Sequence, residues 1–376
     1  MSLVTRIRYI VTMIALCVIV CCCSMNNNKQ SNHGMVGLSV RFKTASQNNT
    51  IRMSDLFCKV KYIPLENSDN ASLINRVDDL RFTNDGIYIC DKSNASILRF
   101  DLDGKFVHRY QHRGRGPGEY INIYQFDVNE TTGNISIYDG SSNRVLVYSS
   151  TDIFLYDFRI DDVPRDFAQL PNGDFLFYTH DYMRGVRRGL WQTDSVGRFK
   201  QQVITIDEDF LFNSGFHSKY LRHYGDTVVL AGPEDKNLIY HIACDTTSAP
   251  FILDVDITIP RKLQKNPLGA SDKYRGKYYT IFNCYETEHL LTVSLHDTYQ
   301  HIAIYHHKTT GVTYQPMKSD DITDDMPPIG LFAASTPEAI ITVLSAEYIL
   351  SFEQLTETFP QINEESNPII AIAYTQ

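Results

Sequence analysis

The sequence is short of the signatures that carry catalysis. Its one glycine-rich stretch, Gly114-Arg115-Gly116-Pro117-Gly118, lacks a Gly-Lys-Ser/Thr ending and does not open a helix, which excludes a phosphate loop. No Gly-x-Ser-x-Gly elbow occurs, although a Ser-His-Asp triad can still assemble from distant residues. Positive charge is scarce, with 35 Lys and Arg against 44 Asp and Glu. That balance argues against phosphate backbones and anionic headgroups, and so against nucleic acid as a partner. Tryptophan occurs once, and the composition is not that of a helical protein.

Metal-ligating patterns are equally thin. Cys58, Cys90, Cys244 and Cys284 are widely separated, with no CxxC or His-Cys spacing, so zinc is unsupported. Each is read either as a disulfide partner, which export permits, or as a small buried hydrophobe. Acidic clusters at Asp161-Asp162, Asp207-Glu208-Asp209 and Asp320 to Asp325 miss the EF-hand spacing and are read as solvated loop acids. His217, His223 and the pair His306-His307 have no carboxylate or cysteine partner nearby in sequence, and are read as surface or turn histidines. No metal or cofactor is expected.

The first residues read as a leader. Arg6 and Arg8 precede an apolar run from Ile10 to Val20 that is too short to span a bilayer comfortably. Val20-Cys21-Cys22-Cys23-Ser24 then resembles a bacterial lipobox, in which small residues precede a cysteine that is diacylated. Cys23 is the expected lipidation site, with Cys22 second; an ordinary cleaved signal is the alternative. Residues 1–23 are thus signal peptide and lipobox, and 24–36 a polar, flexible tether. Removing Arg6 and Arg8 takes the formal charge from −9 to −11. No acidic pair follows Cys23, which leans toward a periplasm-facing protein of the outer membrane over a surface-exposed one.

Beyond the tether one unit recurs: a polar turn, a five- or six-residue run apolar on both faces, a second turn, and another Ile/Val/Leu/Tyr-rich run. With Ile89, Ile137, Phe177, Val229, Val293 and Val343 as markers, the intervals are 48, 40, 52, 64 and 50 residues. Turns such as Asn84-Asp85-Gly86 and Asn172-Gly173-Asp174 precede the runs. The 23 Tyr and 20 Phe suit pleated surfaces. Six copies with two-sided burial predict an all-β, six-bladed β-propeller over residues 37–376, each blade sandwiched between neighbours. Closure is expected where Cys58 to Leu65 pairs with the last blade near Pro368 to Ala373. Residues Ile259 to Tyr278 read as an insertion and Ala346 to Phe352 as a short helix.

The segment Gly114 to Tyr120 resembles a GxGPGEY-like stretch of a six-bladed β-propeller lipoprotein family of Bacteroides-type bacteria. Ile87 to Asp91 and Ile97 to Phe106 are similar to that family's first blade, and Asn363 to Ile370 to its closing segment. More distantly the blades resemble NHL-type repeats. The resemblance implies a fold and an envelope location, but no catalytic residue. Read from the residues, the glycine-rich loop is a rigid turn tied by Glu119 to backbone amides. If it binds, Arg113, Arg115, Glu119 and Tyr120 are the contacts. Trp191 and tyrosines 120, 124, 178, 182 and 220 are read mainly as blade packing, with sugar stacking as the alternative. The functional expectation is a membrane-anchored module that binds a peptide, a glycan or an envelope protein and is not an enzyme. The alternative is a metal-assisted hydrolase or lyase using the central channel.

Overall fold

Each of the six apolar runs picked out by spacing is the second strand of a four-stranded antiparallel sheet. The computed structural model describes residues 36–40, 50–179, 187–206, 219–232, 238–255, 280–296, 301–316 and 321–376. Cys23, the leader, the tether up to residue 35, Tyr182, residues 207–209, His217 and the insertion 259–278 lie outside the described residues.

Three strands precede the repeats: β1 (Val36–Val40), β2 (Ile51–Arg52) and β3 (Phe57–Pro64). Blade I comprises β4 (Asp79–Thr83), β5 (Gly86–Asp91), β6 (Ser96–Phe100) and β7 (Phe106–Tyr110). Blade II comprises β8 (Gln125–Val128), β9 (Ile135–Asp139), β10 (Arg144–Tyr148) and β11 (Phe154–Arg159). Blade III is β12 (Asp166–Gln169), β13 (Phe175–Thr179), β14 (Gly189–Thr193) and β15 (Phe199–Thr205). Blade IV is β16 (Leu221–Tyr224), β17 (Thr227–Ala231), β18 (Leu238–Ile242) and β19 (Thr247–Val255). Blade V is β20 (Thr280–Glu286), β21 (Leu290–His296), β22 (His301–His307) and β23 (Thr313–Tyr314); a short β24 (Ile322–Thr323) follows. Blade VI holds β25 (Leu331–Ser335), β26 (Ala339–Leu344) and β27 (Ile369–Thr375), and its outer strand is β3.

The period-two alternation explains why these runs are apolar throughout. On β5, Ile87 and Ile89 enter the core shared with blade VI, whereas Tyr88 and Cys90 enter the core shared with blade II. On β9, Ile135 and Ile137 face blade I while Tyr138 faces blade III. Among the described residues each of the six junctions between blades holds such a core. The chain is therefore a six-bladed β-propeller. Burial at about 25 cal/mol per Å² of apolar surface is its main stabilising term.

The N-terminal segment adds a strand to each of two blades and a two-stranded ribbon between blades V and VI. β1 adds in parallel to β19 as a fifth strand of blade IV, and β2 pairs in parallel with β24. β3 pairs antiparallel with β27, with Ile63 opposite Ile370 and Lys61 opposite Ile372. Within blade VI the β26–β27 connection carries α1 (Ala346–Leu350) and α2 (Glu353–Thr358). Ser345 caps α1 by accepting a hydrogen bond from the Tyr348 amide at 3.2 Å.

The first strands β4, β8, β12, β16, β20 and β25 neighbour one another around the axis. All run the same way from an inter-blade connection to a tight turn. One face of the ring therefore carries the connections, and the other the turns joining first to second strands.

Candidate functional site

The axis is where residues distant in sequence meet, because every inner strand contributes side chains to it. Toward the connection face, Lys219 Nζ donates to Asp79 Oδ2 at 2.7 Å, across 140 residues of chain. Asp166 Oδ2 accepts the amides of Tyr220 and Leu221 at 2.7 and 2.8 Å. Burial pushes the Asp166 carboxyl up to about 6, with Lys219 and those two amides pulling the other way. Burial also disfavours the Lys219 ammonium, yet Asp79, Asp166 and Asp127 outweigh it and raise its pKa.

Toward the turn face the centre is Asp127, whose carboxylate takes four donors. Arg81 Nε and the Val128 amide reach Oδ1 at 2.8 and 2.9 Å; the Gln169 amide and His223 Nε2 reach Oδ2 at 2.7 and 2.9 Å. Burial alone would raise the Asp127 pKa, but His223, Arg81 and Lys219 outweigh it and hold the group well below the usual carboxylate range. Burial, followed by Arg81, pushes the His223 pKa down. The imidazole is therefore neutral at neutral pH, and since Asp127 only accepts, Nε2 carries the proton. Arg222 completes the set, bonding Asn283 Oδ1 at 2.6 Å and the Ala333 carbonyl at 3.2 Å while lying 4.4 Å from the Tyr285 ring centre. The Arg81, Asp127, Lys219 and Asp79 side chains are each 10 % exposed or less. The axis is thus filled by an ionic network linking blades I to IV.

This network corrects the reading of His223 as a turn or surface histidine. Its carboxylate partner lies 96 residues away on another blade, so no local spacing could announce it. His306 is likewise buried, with Nδ1 bonded to Thr313 Oγ1 at 3.0 Å, while His307 is half-buried. Asp162 is not a solvated loop acid: it is buried and paired with Arg187 at 2.7 Å, whose guanidinium lies against Trp191 and Phe199. Cys58, Cys90, Cys244 and Cys284 are all free thiols; Cys58 is exposed, and Cys90 and Cys284 are buried.

The glycine-rich loop is held from within. Glu119 Oε2 accepts the Gly116 amide at 2.7 Å, and the Cβ of any residue replacing Gly114 would collide with that carboxylate. Tyr120 is buried, donating to the Ala95 carbonyl at 3.0 Å, and Tyr148 donates to the Gly118 carbonyl at 2.7 Å. Of the four candidate contacts only Arg113 and Arg115 are exposed; Tyr120 is committed to packing.

A groove of about 1130 Å³ opens on the connection face over blades V, VI and I. Ile74, Val77, Ile329, Leu331, Val343 and Tyr348 form its walls, and Leu331 is 87 % exposed. Asp324, Glu347, Glu364 and Glu365, all exposed, also border it, against one basic residue among those described, Arg76, which is paired with Asp78.

Comparison with known structures agrees with this architecture. A candidate exported protein of Bacteroides fragilis superposes with a TM-score of 0.71 at 22% identity, covering 91% of this chain and 99% of its own, and shows the same fold. A member of the duf4221 family from Bacteroides vulgatus gives a TM-score of 0.47 at 11% identity, over 88% of this chain and 99% of its own. A virginiamycin B lyase from Staphylococcus aureus gives 0.41 at 12%, over 84% of this chain and 99% of its own. These last two are loose likenesses that carry no functional argument. No helix among the described residues is long and apolar enough to cross a membrane. No curated protein matches the sequence. The family model described as a domain of unknown function, DUF4934, matches residues 38–374, and the chain belongs to that family.

Proposed function

We propose that this protein is a binding module of the cell envelope, anchored through lipidated Cys23 and a tether that ends before β1, that takes a peptide or protein segment into the groove on its connection face. One observation carries the reading: a groove of about 1130 Å³ with apolar walls and an exposed Leu331, bordered by four carboxylates and one paired arginine. A concave site with apolar walls and a few polar groups at its border is where ligands are commonly bound. The acidic border selects a segment carrying both apolar and basic side chains. Arg113 and Arg115 lie outside the groove lining and are secondary contacts in this proposal.

The axial chemistry favours binding over the hydrolase or lyase alternative. Asp79 and Asp127 are already paired with Lys219 and Arg81, so a divalent cation placed there would meet resident positive charge.

The test is fluorescence anisotropy with a labelled twelve-residue peptide of alternating Lys and Leu. Binding should be weakened at least tenfold by Glu364→Lys with Glu365→Lys, and by raising salt. No binding, or binding indifferent to both changes, overturns the groove assignment. Lipidation is checked separately by palmitate labelling in the parent bacterium, which Cys23→Ser should abolish.

A further inference from the structure

The turn face carries a second cavity, of about 200 Å³, at the opposite mouth of the axis from the groove. It is built from the first turns of blades I, IV and VI, contributing Asn84, Asp226 and Thr336, together with Glu130 after β8. Arg81, which is buried, and His223, which is half-buried, also line it, and both are already held by Asp127.

Both have a nitrogen to spare. Arg81 uses Nε on Asp127 and Nη2 on the Val128 carbonyl and Glu130, leaving Nη1 with no hydrogen bond among the described residues. His223 commits Nε2 to Asp127, and its Nδ1 has no bond among the described residues. Arg81 is 5 % exposed, and it lines this cavity together with His223. A donor and an acceptor without protein partners at the wall of a cavity are satisfied there by water or by the hydroxyls of a ligand.

From this geometry we infer a binding site for a single sugar ring. The lining combines donors (Arg81, the Asn84 amide) with acceptors (His223 Nδ1, Glu130, Asp226), a mixture that adjacent hydroxyls, each both donor and acceptor, satisfy well. Phe82 and Pro337 supply apolar surface for the C–H face of a ring. The volume is below the range of drug-sized pockets and suits one pyranose. A compact anion is disfavoured by Glu130 and Asp226. A bare cation is disfavoured by Arg81.

Saturation-transfer NMR on the soluble chain lacking residues 1–23 tests this, using free glucose, galactose, mannose and N-acetylglucosamine at millimolar concentration. At least one sugar should receive saturation. Asp226→Asn and Asn84→Ala, both at exposed positions that leave the core intact, should each weaken it about tenfold or more. Glu364→Lys in the distant groove should leave it unchanged, which separates this site from the peptide groove. The assignment is overturned if no sugar receives saturation, if both turn-face variants bind as the parent does, or if calcium or methylammonium alone competes the sugar away.

Discussion

Replacing Asp127 by Asn should be the most damaging single-atom change available in the axis. The carboxylate serves four donors at 2.7–2.9 Å, two of them from Arg81 and His223. An asparagine oxygen can serve one side of that set, and its NH₂ must then face donors on the other. Arg81 retains only Glu130 at 3.4 Å as a charged partner. Removing one partner of a buried pair costs about 3–5 kcal/mol. With an unfolding entropy of about 2.1 cal/mol/K per residue, that is a melting-point drop of about 4–7 °C for a fold of this length. Calorimetry at pH 7.5 reads it directly. Linkage supplies a second readout. The folded pKa of Asp127 lies below its unfolded value, so the unfolded chain binds the extra proton and the carboxylate's contribution grows with pH. The gap between parent and variant should be complete at neutral pH and shrink below about pH 4, where the unfolded carboxyl protonates. A gap under about 1 kcal/mol at pH 7.5, far short of what an uncompensated buried charge costs, would refute the reasoning. So would a gap that does not change between pH 7 and pH 3.

Asp166 should behave oppositely. Its folded pKa is raised to about 6, so between the ordinary carboxylate pKa and 6 the folded state holds a proton that the unfolded state releases, and stability falls as pH rises. Asp166→Asn keeps an acceptor for the Tyr220 and Leu221 amides and should flatten that slope in melts run from pH 4 to 7. Gly118→Ala places a Cβ 2.8 Å from Phe154 Cγ at a φ of +72°, and should lower urea-derived stability by about 1–3 kcal/mol. A thiol reagent should label Cys58 within minutes, but Cys90 and Cys284 only in denaturant, because burial raises their pKa and blocks access. Mass spectrometry after a timed quench distinguishes the sites.

The blades were legible because their signal is local. A strand between two neighbours must be apolar on both faces, so Ile87 to Asp91 and Ile135 to Asp139 stand out in the chain with nothing else to explain them. Ala346–Leu350 was readable as a helix for the same reason. The site was not readable. Lys219 and Asp79, or His223 and Asp127, are single polar residues on or next to inner strands, and the ring closure that brings them together leaves no periodicity in their own surroundings. Asp162 misled because its partner, Arg187, sits on the far side of a hairpin. Glu119 was legible, since a carboxylate three residues after Gly116 is within reach of its amide.

The pairing of β3 with β27 also bears on biosynthesis. Ile63 meets Ile370, so β3, which precedes all six blades in the chain, waits until β27 has been made before its edge is covered. Contacts at such separation are slow to form. Until β27 is made, the exposed rim of β3 and the unfilled flank of β26 are open to mispairing with other chains. Folding that begins only once β27 is available avoids that hazard.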